Sequence, residues 1–211
     1  MPFQIARLSC RKRLLLVAGA WLLAVGAGFV TLLNYSGTPG HAGTPVSCWP
    51  AHSRVRLDAS RANLVMLAHP HCPCTRASIG SLAHIMTRCQ GLVTAHVVFY
   101  KPAGFPQDWE QTDLWHAAAA IPGVEILCDE EGNEARRFGA TTSGQVLLYS
   151  PGGEMLFSGG ITVSRGHAGD NAGRDAVIST LTGRRADRTH CPVFGCPLQT
   201  PTERNSEDHT P

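Results

Sequence analysis

Residues 63–78 read Asn-Leu-Val-Met-Leu-Ala-His-Pro-His-Cys-Pro-Cys-Thr-Arg-Ala-Ser, and no other stretch narrows the fold as much. The apolar run 64–68 is short and reads as a buried strand, and from Thr75 onward Ile79, Leu82, Ala83 and Met86 recur at helical spacing. A turn carrying Cys72 and Cys74 is all that lies between the two. A strand that feeds straight into a helix sets both thiols at the positive end of the helix dipole. A thiolate is stabilised there and becomes a usable nucleophile. The leading expectation is thiol–disulfide or peroxide chemistry, with metal binding as the nearest rival and buried structural cysteines as the bland one.

The rest of the chain alternates strand and helix signals. Residues 92–100 read as a second strand, and Asp108 can cap a helix running through Trp109, Leu114, Trp115 and the alanines 117–120. Residues 124–128 read as a third strand, followed by a short helix over 129–138. Residues 145–150 and 154–158, joined by Pro151-Gly152-Gly153, form a hairpin. A glycine-rich loop follows, and Asp170 or Asn171 caps a last helix closed by Gly183. Strands separated by helices need crossover connections and so a parallel half-sheet, to which the hairpin adds an antiparallel half. The expected class is therefore α/β, a three-layer α/β/α sandwich with a mixed sheet.

Residues 14–33 carry no charge, and twenty residues in a helix reach roughly 30 Å, the thickness of a bilayer core. Arg7, Arg11, Lys12 and Arg13 precede this run, whereas 34–53 holds no Lys or Arg, which orients the N-terminus to the cytoplasm. A cleaved signal peptide is the competing reading, although its apolar region is usually shorter. The expected organisation is a cytoplasmic segment (1–13), a transmembrane anchor (14–33), a Gly/Pro/Ser/Thr-rich linker (34–50), a folded domain (51–183) and a polar, Cys-containing tail (184–211). The net charge of +2 is too small to argue for nucleic acid, and the absence of a dinucleotide or P-loop signature implies no organic cofactor. Of eight cysteines, Cys10 falls on the cytoplasmic side of the anchor and the other seven on the far side, where disulfides persist.

The strand, the Cys-containing turn, the helix and the later segment 138–149 together resemble the thioredoxin superfamily over residues 51–183. His69-Pro-His-Cys-Pro-Cys74 and Cys191-Pro-Val-Phe-Gly-Cys-Pro197 look like the membrane-anchored bacterial RedB proteins. Asp129-Glu-Glu-Gly132, Phe138-Gly139 and Gly159-Gly160-Ile161 look like the peroxiredoxin and TlpA-like tethered-thioredoxin branch. The resemblance implies a thiol–disulfide oxidoreductase or peroxide-reducing antioxidant enzyme in the bacterial inner membrane, its domain periplasmic, acting on a protein or small-molecule disulfide. The chain departs from the family in two places: one residue rather than two separates the cysteines, and Thr142-Ser143 fills the place of the usual cis-proline.

In this reading Cys72 is the nucleophile at the exposed lip, with Pro73 at the first helical position and Cys74 resolving the mixed disulfide. His71, with His69 beside it, can lower the thiol pKa or relay a proton. An alternative alignment puts His71 where the family's first cysteine stands. Thr142 and Ser143 lie where substrate is held, and Arg165, with Ser164 and His167, sits on a loop able to bind an anionic or peroxidic substrate. A Cys72–Cys74 disulfide would be strained. Cys191 and Cys196 either form a disulfide that exchanges with Cys72 or clip the tail. Cys89 and Cys128 read as core residues. The metal alternative takes copper or zinc on His69, His71, Cys72 and Cys74, with His116 or His167 as a distant ligand, as in superfamily members that deliver copper.

Overall fold

The computed structural model describes residues 10–41 and 43–199. It divides into two compact units at Gly37/Thr38. The first is a single helix, α1 (Cys10–Gly37), whose leucines and valines are exposed on every side, together with Trp21 and Phe29. From Arg11 to Gly37 it is long and apolar enough to cross a membrane. It outruns the expected anchor at both ends.

The second unit is built on five strands in the order β3-β2-β1-β4-β5. β1 (Ala62–Ala68) is parallel to β2 (Val93–Lys101), which is parallel to β3 (Val124–Glu130); β4 (Gln145–Tyr149) and β5 (Met155–Gly160) add the antiparallel half. Among the described residues four helices of this unit accompany the strands: α2 (Pro73–Arg88), α3 (Asp113–Ala119), α4 (Asn133–Arg137) and α5 (Ala172–Leu181). The expected mixed sheet with crossover helices is present.

β1 is apolar without alternation because it is central and covered on both faces. Its Leu64 and Met66 face one core, with Val97 and Phe99 of β2 and Ile79, Leu82, Ile85 and Met86 of α2. Its Val65 and Leu67 face the other, with Val98, Phe138, Leu147 and Tyr149. The C-terminal end of β1 is thereby locked from two sides, and the cysteine turn starts from a rigid platform.

Several element boundaries differ from expectation for identifiable reasons. The helix expected from Asp108 begins only at Asp113, because 106–111 closes as consecutive turns, with Trp109 N–H bonded to the Pro106 carbonyl and Gln111 N–H to that of Asp108. The helix expected over 129–138 shortens to 133–137. Asp129 stays in β3 and its buried carboxylate accepts the backbone N–H groups of Glu134 and Ala135 at 2.7 and 2.9 Å, so it caps α4 from outside. Glu134 is itself buried and accepts from Ser53 Oγ, Arg54 N–H and Arg137.

The segment read as a linker is docked rather than free. Trp49 stacks edge-on against Phe138 and Tyr149 at 5.2 Å each, and its N–H bonds the Gly153 carbonyl. The tail is docked as well. Thr189 accepts from Ser158 N–H beside β5, while Val193 and Leu198 are buried to 1% and 2% exposure. The last part of that tail, residues 200–211, lies outside the described residues.

Candidate active site around three thiols

β1 ends at Ala68 and the chain turns through His69-Pro70-His71. Cys72 is the N-cap of α2 in extended conformation (φ −89°, ψ 116°), and Pro73, which lacks the N–H that would go unpaired there, opens the helix. The turn is closed by Cys72 N–H to the His69 carbonyl (3.2 Å) and Thr75 N–H to the Cys72 carbonyl (3.0 Å). Ser143 fastens it to the approach to β4, its hydroxyl accepting the His69 N–H at 2.8 Å and sharing a 2.8 Å bond with Thr75. Ser143 is thus a buried positioning residue, while the Thr142 hydroxyl donates to the His41 carbonyl.

Cys72 is not at an exposed lip. It is 2% exposed, with the Cys196 thiol against it. Cys196 Sγ stands 2.9 Å from Cys72 Sγ, and the sulfurs of Cys72, Cys74 and Cys196 all lie within 4.8 Å of one another. Both expected roles for Cys196 involved a bond to Cys191, and that bond is absent: the seven cysteines from Cys48 to Cys196 are free thiols. Arg165 comes to this place too, its guanidinium donating to the carbonyl oxygens of Gly195 and Thr38.

The three thiols are electrostatically unequal. Burial opposes an anion at Cys72. Hydrogen bonds from the Cys196 thiol and N–H, the Cys74 N–H and the Thr75 hydroxyl outweigh it and bring Cys72 below its ordinary pKa. Burial and the neighbouring Cys72 push Cys74 up, against the opposing pull of Arg165. The same causes raise Cys196 to about 12. One sulfur is favoured as thiolate and two as protonated donors.

A depressed pKa carries a stability contribution that is present above the unfolded thiol's value, about 8.5, and is lost as pH falls through the folded value. Thiolate ultraviolet absorbance, taken as the difference between the unaltered chain and Cys72→Ser, should therefore titrate below the midpoint of free glutathione. A midpoint at or above that of glutathione would contradict the hydrogen-bond argument.

The histidines do not take part as expected. The His71 ring lies 4.5 Å from that of half-buried Trp109, with Nε2 3.3 Å from the Trp109 carbonyl. His69 accepts the His71 N–H, and burial, then the nearby His71, lowers its pKa, which favours the neutral ring. Neither is among the groups that hold the Cys72 thiol down. Among the described residues the metal-capable cluster consists of the three cysteines, without His69, His71, His116 or His167. His167 is exposed and bonds the Arg165 carbonyl. Sequence reasoning did not bring Cys196 to Cys72 as a free thiol. The signal available was an apolar pair, Val193 and Leu198, bracketing Gly195-Cys196-Pro197 in an otherwise polar tail.

No protein-family model matches the chain, and no curated protein matches it. Solved structures do. A hypothetical protein from Sinorhizobium meliloti 1021 superposes with TM-score 0.56 at 21% identity, over 76% of this chain and 93% of that one. An uncharacterized conserved protein from Geobacillus kaustophilus gives 0.57 at 18% identity, over 79% and 94%. The fold is thioredoxin-like. A secreted Mycobacterium tuberculosis disulfide oxidoreductase homologous to E. coli DsbE also matches, at TM-score 0.43 and 15% identity over 60% of this chain and 84% of that one, too distant to carry an argument about activity.

Proposed function

We propose that this chain is a thiol–disulfide oxidoreductase in which Cys72 is the nucleophile. The observation that carries the reading is the sulfur cluster at the N-terminus of α2, where one thiol is held below its ordinary pKa and two protonated thiols stand within 4.8 Å of it. A low-pKa thiolate attacks a disulfide sulfur, or a peroxide oxygen, and a second thiol then displaces the bound group. Substrates of this chemistry are protein or small-molecule disulfides and peroxides. Thr142, Ser143 and Arg165 border the site, and His71 stands at its rim next to Trp109.

The basic residues at 7, 11, 12 and 13, ahead of the uncharged run 14–33, and the absence of Lys and Arg over 34–53 support a single-pass anchor in a bacterial inner membrane, with the second unit on the periplasmic side. The two cysteine motifs support kinship with the RedB-like branch. A soft-metal reading has one observation in its favour, the same three sulfurs, a donor set that suits copper(I) or zinc.

One experiment separates the readings. The full chain, purified in detergent without chelator, is equilibrated in graded glutathione buffers and alkylated, and its thiols are mapped by mass spectrometry. Cys72 should pass reversibly from thiol to disulfide near the poise of an oxidising compartment, about −200 mV. A Cys72 that stays a thiol across the range, in protein retaining one copper or zinc per chain, would replace the oxidoreductase with a metal carrier.

A further inference from the structure

Cys74 is the partner that spacing assigns to Cys72, but the three-dimensional arrangement presents another sulfur at shorter range. We propose that Cys196 is the resolving thiol and that turnover closes a Cys72–Cys196 disulfide, which pins residues 195–198 over the site. This rests on the reading of Cys72 as the nucleophile.

Cys196 is held in place from both sides. Upstream, the Gly40 N–H bonds the Val193 carbonyl at 2.8 Å, Val193 is buried, and Arg165 holds the Gly195 carbonyl. At Cys196 itself the carbonyl accepts the Ser143 N–H at 2.9 Å. Downstream, Pro197 pairs with Thr142 in an antiparallel bridge, the Leu198 N–H bonds the Thr141 carbonyl at 2.9 Å, and Leu198 enters the second core. The backbone therefore delivers the Cys196 sulfur to 2.9 Å from Cys72 as a built arrangement and not as the reach of a loose tail.

Cys74 is worse placed to bond Cys72. The only residue between them is Pro73, whose ring fixes φ, and Cys74 already belongs to the first turn of α2. Bonding the two would require bending that turn to satisfy disulfide geometry. Cys191 does not compete for Cys196 either. It lies against Gly173 and is bonded by Arg188, apart from the three-sulfur cluster.

The chemistry balances with the substrate disulfide as oxidant. The Cys72 thiolate attacks one sulfur of R–S–S–R′. The S–S bond breaks, R′–S⁻ leaves and takes a proton from solvent, and Cys72–S–S–R remains. Cys196 gives its proton to solvent and its thiolate attacks the Cys72 sulfur. R–S⁻ departs and is protonated, and Cys72–Cys196 forms. Two protein thiols are oxidised and one disulfide is reduced to two thiols. The Arg165 cation, whose field favours the anion at Cys196, stabilises that sulfur as it attacks. Cys74 stays a thiol throughout.

Trypsin distinguishes the two pairings. Cleavage after Arg61, Arg76, Arg188 and Arg204 leaves Cys72 and Cys74 on one peptide and Cys191 and Cys196 on another. The reduced full chain in detergent is treated with limiting oxidised glutathione, quenched by alkylation and digested without reductant. The expected product is the two peptides joined by one disulfide, retained in Cys191→Ser and lost in Cys196→Ser. In Cys196→Ser the Cys72–glutathione adduct should persist at least about tenfold longer, since a positioned intramolecular thiol is replaced by solution thiols. A Cys72–Cys74 bond within one peptide, with the adduct resolved at an unchanged rate in Cys196→Ser, would overturn the assignment and leave Cys72 as nucleophile. If Cys72 formed no bond with either glutathione or protein, the underlying oxidoreductase reading would fall.

Discussion

Cys72→Ser should lower the rate of disulfide reduction, measured with a model disulfide and dithiothreitol as electron source, by at least about 10³-fold. Electrostatics decides this before position does. A serine hydroxyl at this site does not ionise at accessible pH, and neither remaining sulfur is suited to replace Cys72 as attacker, because Cys74 and Cys196 are both raised above the ordinary thiol range. Their elevation itself comes in part from the Cys72 charge, so the substitution relaxes it without reversing the dominant cause, burial. Folding should be little affected, since the Ser143–Thr75–His69 network that shapes the turn uses no sulfur. A rate within twofold of the unaltered chain would move the nucleophile to Cys74.

Gly195→Val should act in the opposite sense on Cys72 and raise its alkylation by iodoacetamide by one to two orders of magnitude. A Cβ at 195 would run into the Ser143 carbonyl oxygen, a backbone atom that cannot rotate away, and would press on Thr142 Cγ2 at 3.2 Å. Relief requires residues 195–198 to lift. That gives up the Ser143–Cys196 and Leu198–Thr141 hydrogen bonds and uncovers a sulfur now only 2% exposed. Lifting also removes the Cys196 donors that favour the Cys72 thiolate, so the assay belongs near pH 9, about where an ordinary thiol is already largely ionised. Unchanged alkylation there would mean that the segment does not cover Cys72. Loss of the cooperative unfolding transition would be unexpected, because the first core contains none of residues 195–198.

The sheet was legible in the chain because each strand is either a dense apolar run or half of a glycine-turned hairpin. The crossover helices follow from the alternation. What the local pattern concealed was long-range satisfaction of polar groups. Asp129 looks like the N-cap of a helix starting at once, yet its carboxylate reaches over Glu131 and Gly132 to cap α4 from the strand. Trp49 sits in a Gly/Pro-rich stretch with no periodicity, and only the facing rings of Phe138 and Tyr149 show that it is anchored. The cysteine turn was readable down to the N-cap and the proline after it. The neighbourhood of Cys72 was not, because the atoms that matter most to its charge belong to Cys196, and nothing within a few residues of the turn points there. The two histidines show the converse hazard. Proximity in the chain suggested an electrostatic role, whereas Trp109, 38 residues beyond His71, claims the His71 ring.

Cys72 and Cys196 are separated by 124 positions, which gives the cluster a birth order. A ribosome adding about 5–20 residues per second presents the nucleophile on the order of ten seconds before the sulfur that lies against it. Through that interval α2 can form and Cys72 is uncovered. A passing disulfide captured then leaves an adduct that the nascent chain has no Cys196 to expel. With Cys196 as the proposed resolving thiol, only a chain synthesised and folded through Leu198 clears the adduct by itself, so completion of the last docked segment would double as proofreading of the first reactive one.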